Sequence, residues 1–168
     1  MEEVFNNTSY ARRFHRYIYT GIPDVSNIII TSAYADLTGL DNPWPAVSDE
    51  LKSAQNNVKT IPTIGYHAGS ATLSRWSLYK QIRQANEFIA YAHVIPQNGD
   101  VADFIDEKEL ALLKNEARFL RAYYHYLLFE LYGPIPIMTE IADPSAADLD
   151  YYRNSVDEVV AFIDKEPV

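Results

Sequence analysis

Between Leu113 and Leu131 the apolar positions recur at steps of three and four: Leu113, Ala117, Leu120, Tyr124, Leu127 and Leu131. That period lays them along one face of a helix. Phe119, Tyr123 and Tyr126 form a second stripe, which predicts a helix buried on more than one side. Asp106 and Glu109 stand in D-x-x-E order ahead of it and can cap its start. Gly133 can take a left-handed backbone at its end, and Pro134 and Pro136 forbid continuation.

The same reading places a long helix over about residues 72–93, with Leu78, Ile82, Ala85, Ile89 and Ala92 as its stripe. A first helix is expected over about 3–19, with Val4, Ala11, Phe14 and Ile18 inward and Gly21-Ile22-Pro23 ending it. Asp24 or Ser26 can cap a second, running to about Leu37. There the helical spacing of Ile30, Ala33, Tyr34 and Leu37 outweighs the strand propensity of Ile28 to Thr31. Ser155 and Glu158 form a capping box for a last helix, to which Val156, Val159, Val160 and Ile163 give an apolar face. Left uncovered, that face predicts self-association. Pro96 to Asp100 reads as a turn. Residues 36–71 are rich in Pro, Gly, Asn, Asp and Ser, with a short helix near 47–57, and irregular stretches of that length usually serve a function. A mostly α chain with one long irregular loop is expected.

Three segments carry a family resemblance. The run LKNEARFLRAYYHYLLFELYGPIPIM (113–138) resembles the central motif of the SusD/RagB family. WSLYKQIRQAN (76–86) is similar to its W-x-x-x-Y-x-x-I-x-x-A-N helix, and YRNSVDEVVAFID (152–164) to its R-x-S-x-x-E-V-x-x-x-I segment. The resemblance spans roughly residues 76–164. It implies stacked antiparallel helix pairs of tetratricopeptide type, although the strict 34-residue repeat consensus is absent. It implies a surface-exposed lipoprotein of the bacterial outer membrane that captures oligosaccharide for a TonB-dependent, SusC-like transporter. It further implies that residues 1–168 are the N-terminal part of a longer mature chain, with the leader, the lipidated cysteine and a second half outside this stretch.

Composition narrows the alternatives. The net charge of −9 disfavours nucleic acid, which needs a basic stripe. The one local basic cluster, Arg12, Arg13 and Arg16, reads as a solvated helix face. Without cysteine the stretch offers no disulfide, thiol nucleophile or thiolate metal site. No apolar run approaches the roughly 18 residues of a membrane span. Thirteen tyrosines and seven phenylalanines suit either a sugar binder or a helix-pair scaffold, because a tyrosine ring can pack while its hydroxyl stays wet.

Catalytic patterns are not found. Glu116 and Glu130 lie about 21 Å apart along one helix at ~1.5 Å per residue, too far to flank one glycosidic bond. With Arg118 and Arg121 they read as structural pairs between helices. His15, His67, His93 and His125 lack metal-ligand spacing, and Asp100, Asp103 and Asp106 lack that of a calcium loop. No phosphate loop or nucleophile elbow is present, and no cofactor is implied. Trp76, Tyr79, Arg83 and Asn86 share a helix face and read as packing, with Asn86 satisfying a backbone group.

The candidate ligand site lies in the long loop. Asp41, Asn42 and Trp44 put an indole between Pro43 and Pro45 beside polar groups, as a sugar-stacking site requires. Tyr66 and His67, flanked by Gly65 and Gly69, are second candidates. The alternative for Trp44 is a hydrophobic plug that tethers the loop. Two readings follow: a non-catalytic glycan-binding module, or a helical scaffold that docks the transporter without a ligand site in this half.

Overall fold

The structure, a computed structural model, describes residues 2–23, 48, 74–98, 103–142 and 150–166. The chain divides into two compact units, Met1–Thr20 with Tyr79–Val168, and Gly21–Leu78. The described part of the second unit includes the 3-10 turn Trp76–Leu78. The expected second helix, the loop over 36–71 and the helix near 47–57 fall outside the described residues, apart from Ser48. In the first unit the described residues are mostly α-helical: α1 (Thr8–Ile18), α2 (Tyr79–Tyr91), α3 (Glu107–Tyr132) and α4 (Val156–Lys165). α3 is central, with α1, α2 and α4 all packing on it, and α1 also packs on α2.

The predicted first helix is broken in two. Asn7 is extended and its side chain accepts from the Tyr10 N–H at 3.1 Å, so it caps α1 and leaves Glu2–Asn6 as a 3-10 turn. A short carboxamide that can bond the backbone locally favours a cap over a helix interior. The break turns Phe5 into the core, where Val4 was expected, and Val4 is only half-buried. Phe5 meets Phe14 at 5.1 Å and Phe88 at 5.9 Å, both edge to face, a favoured geometry for aromatic pairs.

α2 begins at Tyr79, later than its stripe predicts, because residues 76–78 tighten into the 3-10 turn. It buries Ile82, Ala85 and Phe88, and also Gln81, which is 0% exposed with neither amide atom hydrogen-bonded. An unsatisfied buried amide costs free energy that an apolar side chain of similar shape does not. Gln81→Met is therefore expected to raise the free energy of unfolding by about 1 kcal/mol. Urea denaturation checks this, and an unchanged or lower midpoint would contradict it.

Asp106 caps α3 by accepting from the Glu109 N–H at 2.7 Å. Glu109 does not return the bond to complete the box. Its carboxylate instead takes Arg12 of α1 through Nε at 2.8 Å and Nη2 at 3.0 Å, and Arg12 also reaches Asp103 at 3.1 Å and the Phe104 carbonyl at 2.9 Å. These anionic partners, Glu109 foremost, raise the Arg12 pKa above its ordinary value. An antiparallel bridge between Ile95 and Ile105 closes the α2–α3 connection. At the far end Gly133 has φ 67°, and its N–H donates to the Phe129 carbonyl at 2.8 Å. A side chain there would meet open space, so the demand for glycine comes from the backbone angle.

Ala117, Leu120, Tyr124 and Leu127 are buried as the period predicts. The Tyr124 hydroxyl donates to the Ile18 carbonyl, one of the orphan acceptors in the last turn of α1. The second buried face is not the predicted one. It consists of Arg121, His125, Leu128 and Tyr132. Phe119 and Tyr126 are 56% and 43% exposed, and with Tyr123 they form a row of rings at 6.5 and 6.4 Å. Periodicity reports that residues share a face; it does not say whether anything covers that face.

The α4 capping box is complete. The Ser155 N–H donates to Glu158 at 2.7 Å, and the Glu158 N–H donates to the Ser155 hydroxyl at 3.3 Å. These bonds hold the Glu158 carboxyl below its usual pKa. Val159 is fully buried, whereas Val156 and Val160 are exposed.

Candidate functional site

Beyond Gly133 the chain runs through residues 135–139 with neither helix nor strand pairing. Its backbone polar groups must therefore find other partners. Those partners come from all three sequence motifs. The Tyr79 hydroxyl donates to the Pro136 carbonyl at 2.7 Å. The Asn86 amide donates to the Met138 carbonyl at 3.1 Å and to that of Glu140 at 3.0 Å. Asn154 donates its N–H to the Ile135 carbonyl and accepts from the Ile137 N–H, both at 3.0 Å. Asn86 satisfies backbone groups, as expected.

Arg121 ties this clamp together. It is buried, its Nη1 donates to Asn86 Oδ1 at 2.7 Å and to the Thr139 carbonyl at 3.1 Å, and its Nε and Nη2 grip the Glu166 carboxylate. The planar fork of a guanidinium suits such divided bonding. The predicted structural pairing of Arg121 is thus present, with Glu166 as its anion. Glu116 accepts from the Tyr19 hydroxyl at 2.9 Å and lies 3.3 Å from His15 Nε2, although not in line for a hydrogen bond. Among the described residues Arg118 reaches only Asn115 of its own helix.

His125 completes the clamp from one turn further along α3. Its Nδ1 lies 2.7 Å from the Arg121 carbonyl, and the Met138 N–H donates to its Nε2 at 3.1 Å. A carbonyl can only accept and an amide N–H can only donate, so this network selects the neutral ring with the proton on Nδ1. Burial, with a smaller contribution from the Arg121 charge, lowers its pKa to about 4. Burial also raises the Tyr79 phenol well above its ordinary value, so it remains a donor.

Beside the clamp lies a cleft of about 270 Å³ between α2 and the segment after Gly133. Tyr79, Ile82, Met138 and Tyr151 form its walls, with Arg83 and Glu140 also lining it. Arg83 pairs with Glu87 at 2.9 Å. The Tyr79 hydroxyl and the Asn86 amide are already committed to the backbone, so this cleft suits an aliphatic or ring face more than a ligand rich in hydroxyls. Tyr79, Arg83 and Asn86 were legible as one helix face. Met138 and Tyr151, which close the cleft from distant sequence, had no signal beyond their apolar character.

The predicted ligand residues Asp41, Asn42, Trp44, Tyr66 and His67 all lie outside the described residues. Among the described residues no group of three His, Asp or Glu side chains converges as a metal site, and no helix is long and apolar enough to cross a membrane.

Residues 24–167 match the model of a SusD-like family described as starch-binding and associating with the outer membrane. The match takes in the long loop and all three motifs. No curated protein and no solved structure matches the chain.

Proposed function

The chain belongs to this SusD-like family of starch-binding, outer-membrane-associated proteins, and from that premise we propose that it is a non-catalytic glycan-binding component of a surface nutrient-uptake system. It holds oligosaccharide for a TonB-dependent, SusC-like transporter. The family match over residues 24–167 carries this reading. The clamp supports it, because the motif residues Tyr79, Asn86, Arg121 and Asn154 are spent on shaping the backbone. Ligand recognition then falls to the loop over 36–71, with Trp44 as stacking ring, Asp41 and Asn42 as its polar neighbours in sequence, and Tyr66 and His67 as second candidates.

Titration of tryptophan fluorescence with a panel of oligosaccharides tests the proposal. A saturable change is expected for at least one glycan. In Trp44→Ala it should vanish, although Trp76, the only other tryptophan, still reports. Binding unchanged in the variant would remove the loop site.

The exposed row Phe119, Tyr123 and Tyr126, with Leu112 at 59% exposure, favours a second reading. Contiguous apolar surface of this kind marks protein contacts. Under it the helices dock the transporter and this half binds no sugar. No fluorescence response to any glycan, together with capture of the chain by a SusC-like transporter, would favour the scaffold.

A further inference from the structure

α1 lies ahead of the family match and carries a groove of its own. Tyr10, Arg13, Phe14 and Tyr17 follow one another at helical spacing, and with Val4 and Gln84 of α2 they line about 310 Å³. This is near the lower limit of small-ligand sites, ~300 Å³. Tyr10 and Tyr17 are 58% and 48% exposed. They stand two helical turns apart, about 10 Å at ~1.5 Å per residue, with Arg13 between them along the helix.

The guanidinium sets this groove apart. Arg12 is fully engaged with Glu109, Asp103 and Phe104. Arg83, Arg118, Arg121 and Arg153 likewise have partners. Arg13 and Arg16, one turn apart, make no side-chain hydrogen bond or ion pair among the described residues. In a chain of net charge −9, Arg13 and Arg16 are thus the two described arginines without such a partner, and Arg13 lies among exposed rings. Gln84 in the same lining has an amide oxygen without a hydrogen-bond partner.

We propose that this groove binds a short acidic saccharide, a pyranose ring stacked on Tyr10 or Tyr17 with its carboxylate or sulfate paired to Arg13. The choice of ligand rests on the glycan-binding reading above, but the site is separate from the Trp44 loop. An aromatic face takes the C–H side of a sugar, and a guanidinium fork matches a planar anion with two parallel bonds. The net negative charge disfavours an extended anionic surface. Screening over about 8 Å at physiological ionic strength lets a short ligand sense mainly the local arginines.

Isothermal titration calorimetry of the wild type with an oligogalacturonate, a sulfated disaccharide and a malto-oligosaccharide tests the assignment. Saturable binding of one or both acidic sugars is expected, at least tenfold weaker in Arg13→Gln and in Tyr17→Ala, partly recovered in Arg13→Lys, and weaker at high salt. The two acidic arms distinguish carboxylate from sulfate. Both substitutions are at exposed positions, and thermal melts matching the wild type confirm that the fold is retained. Failure of both acidic sugars to bind would overturn the assignment, as would binding that neither substitution weakens. Malto-oligosaccharide binding that depends on Trp44 but not on Arg13, with no acidic sugar bound, would sink this groove and leave the proposed function standing.

Discussion

Arg121→Leu is expected to lower the free energy of unfolding by about 3 kcal/mol, the range for breaking a buried charge pair. The side chain holds Glu166, Asn86 Oδ1 and the Thr139 carbonyl at once. Its removal leaves the amide oxygen and the carbonyl without a donor in a site built to exclude water. Glu166 is less buried than Arg121 and can relax toward solvent, which limits the loss. A lysine should recover less than half, because one ammonium cannot reproduce the fork. Urea titration would show the midpoint falling with the slope unchanged. A double-mutant cycle with Glu166→Gln isolates the pair from the rest of the clamp. A shift below about 0.5 kcal/mol, the scale of ordinary surface substitutions, would mean that the clamp stands without Arg121.

His125 predicts a steep acid dependence. Its pKa is about 4 in the folded chain against an ordinary 6.5. The folded value is the lower one, so on acidification the unfolded chain takes up the proton first. This contribution to stability is complete above about pH 6.5 and is lost as pH falls toward 4. The slope approaches ~1.4 kcal/mol per pH unit, and the total is about 3 kcal/mol. His15, whose pKa burial also lowers, shifts stability in the same direction. His125→Gln is the informative comparison, since an amide can donate to the Arg121 carbonyl and accept from the Met138 N–H without titrating in this range. The variant should be less stable than the wild type at pH 7, with the gap closing by about pH 4.5. Parallel stability curves would show that His125 does not titrate as described.

Local signals were legible and distant meetings were not. Asp106, Gly133 and the Ser155–Glu158 box mark helix ends through bonds to their own neighbours, and the structure has each of these ends. Asn7 carries the same kind of signal, but a stripe through Val4 and Ala11 runs smoothly across it and masks the break. Asn86 was assigned a backbone partner by type, but nothing in the sequence could say that the partners were Met138 and Glu140, more than fifty residues away. Phe119, Tyr123 and Tyr126 form a stripe that periodicity alone cannot place, because covered and uncovered stripes share one period. The candidate ligand residues stay tied to the family reading, since Trp44 and its neighbours lie outside the described residues.

The clamp also has a consequence for how copies of this chain behave toward one another. Residues 134–138, PIPIM, make an apolar stretch with neither helix nor strand pairing, the kind of segment that recruits strands from other molecules when its backbone is open. Here Pro134 and Pro136 have no N–H to offer. Asn154 and His125 occupy the N–H groups of Ile137 and Met138, while Tyr79, Asn86, Arg121 and Asn154 cover the carbonyls of Ile135, Pro136, Met138, Thr139 and Glu140. An incoming strand therefore finds much of this edge already hydrogen-bonded. The bonds that fix the shape of the segment also guard it against aggregation.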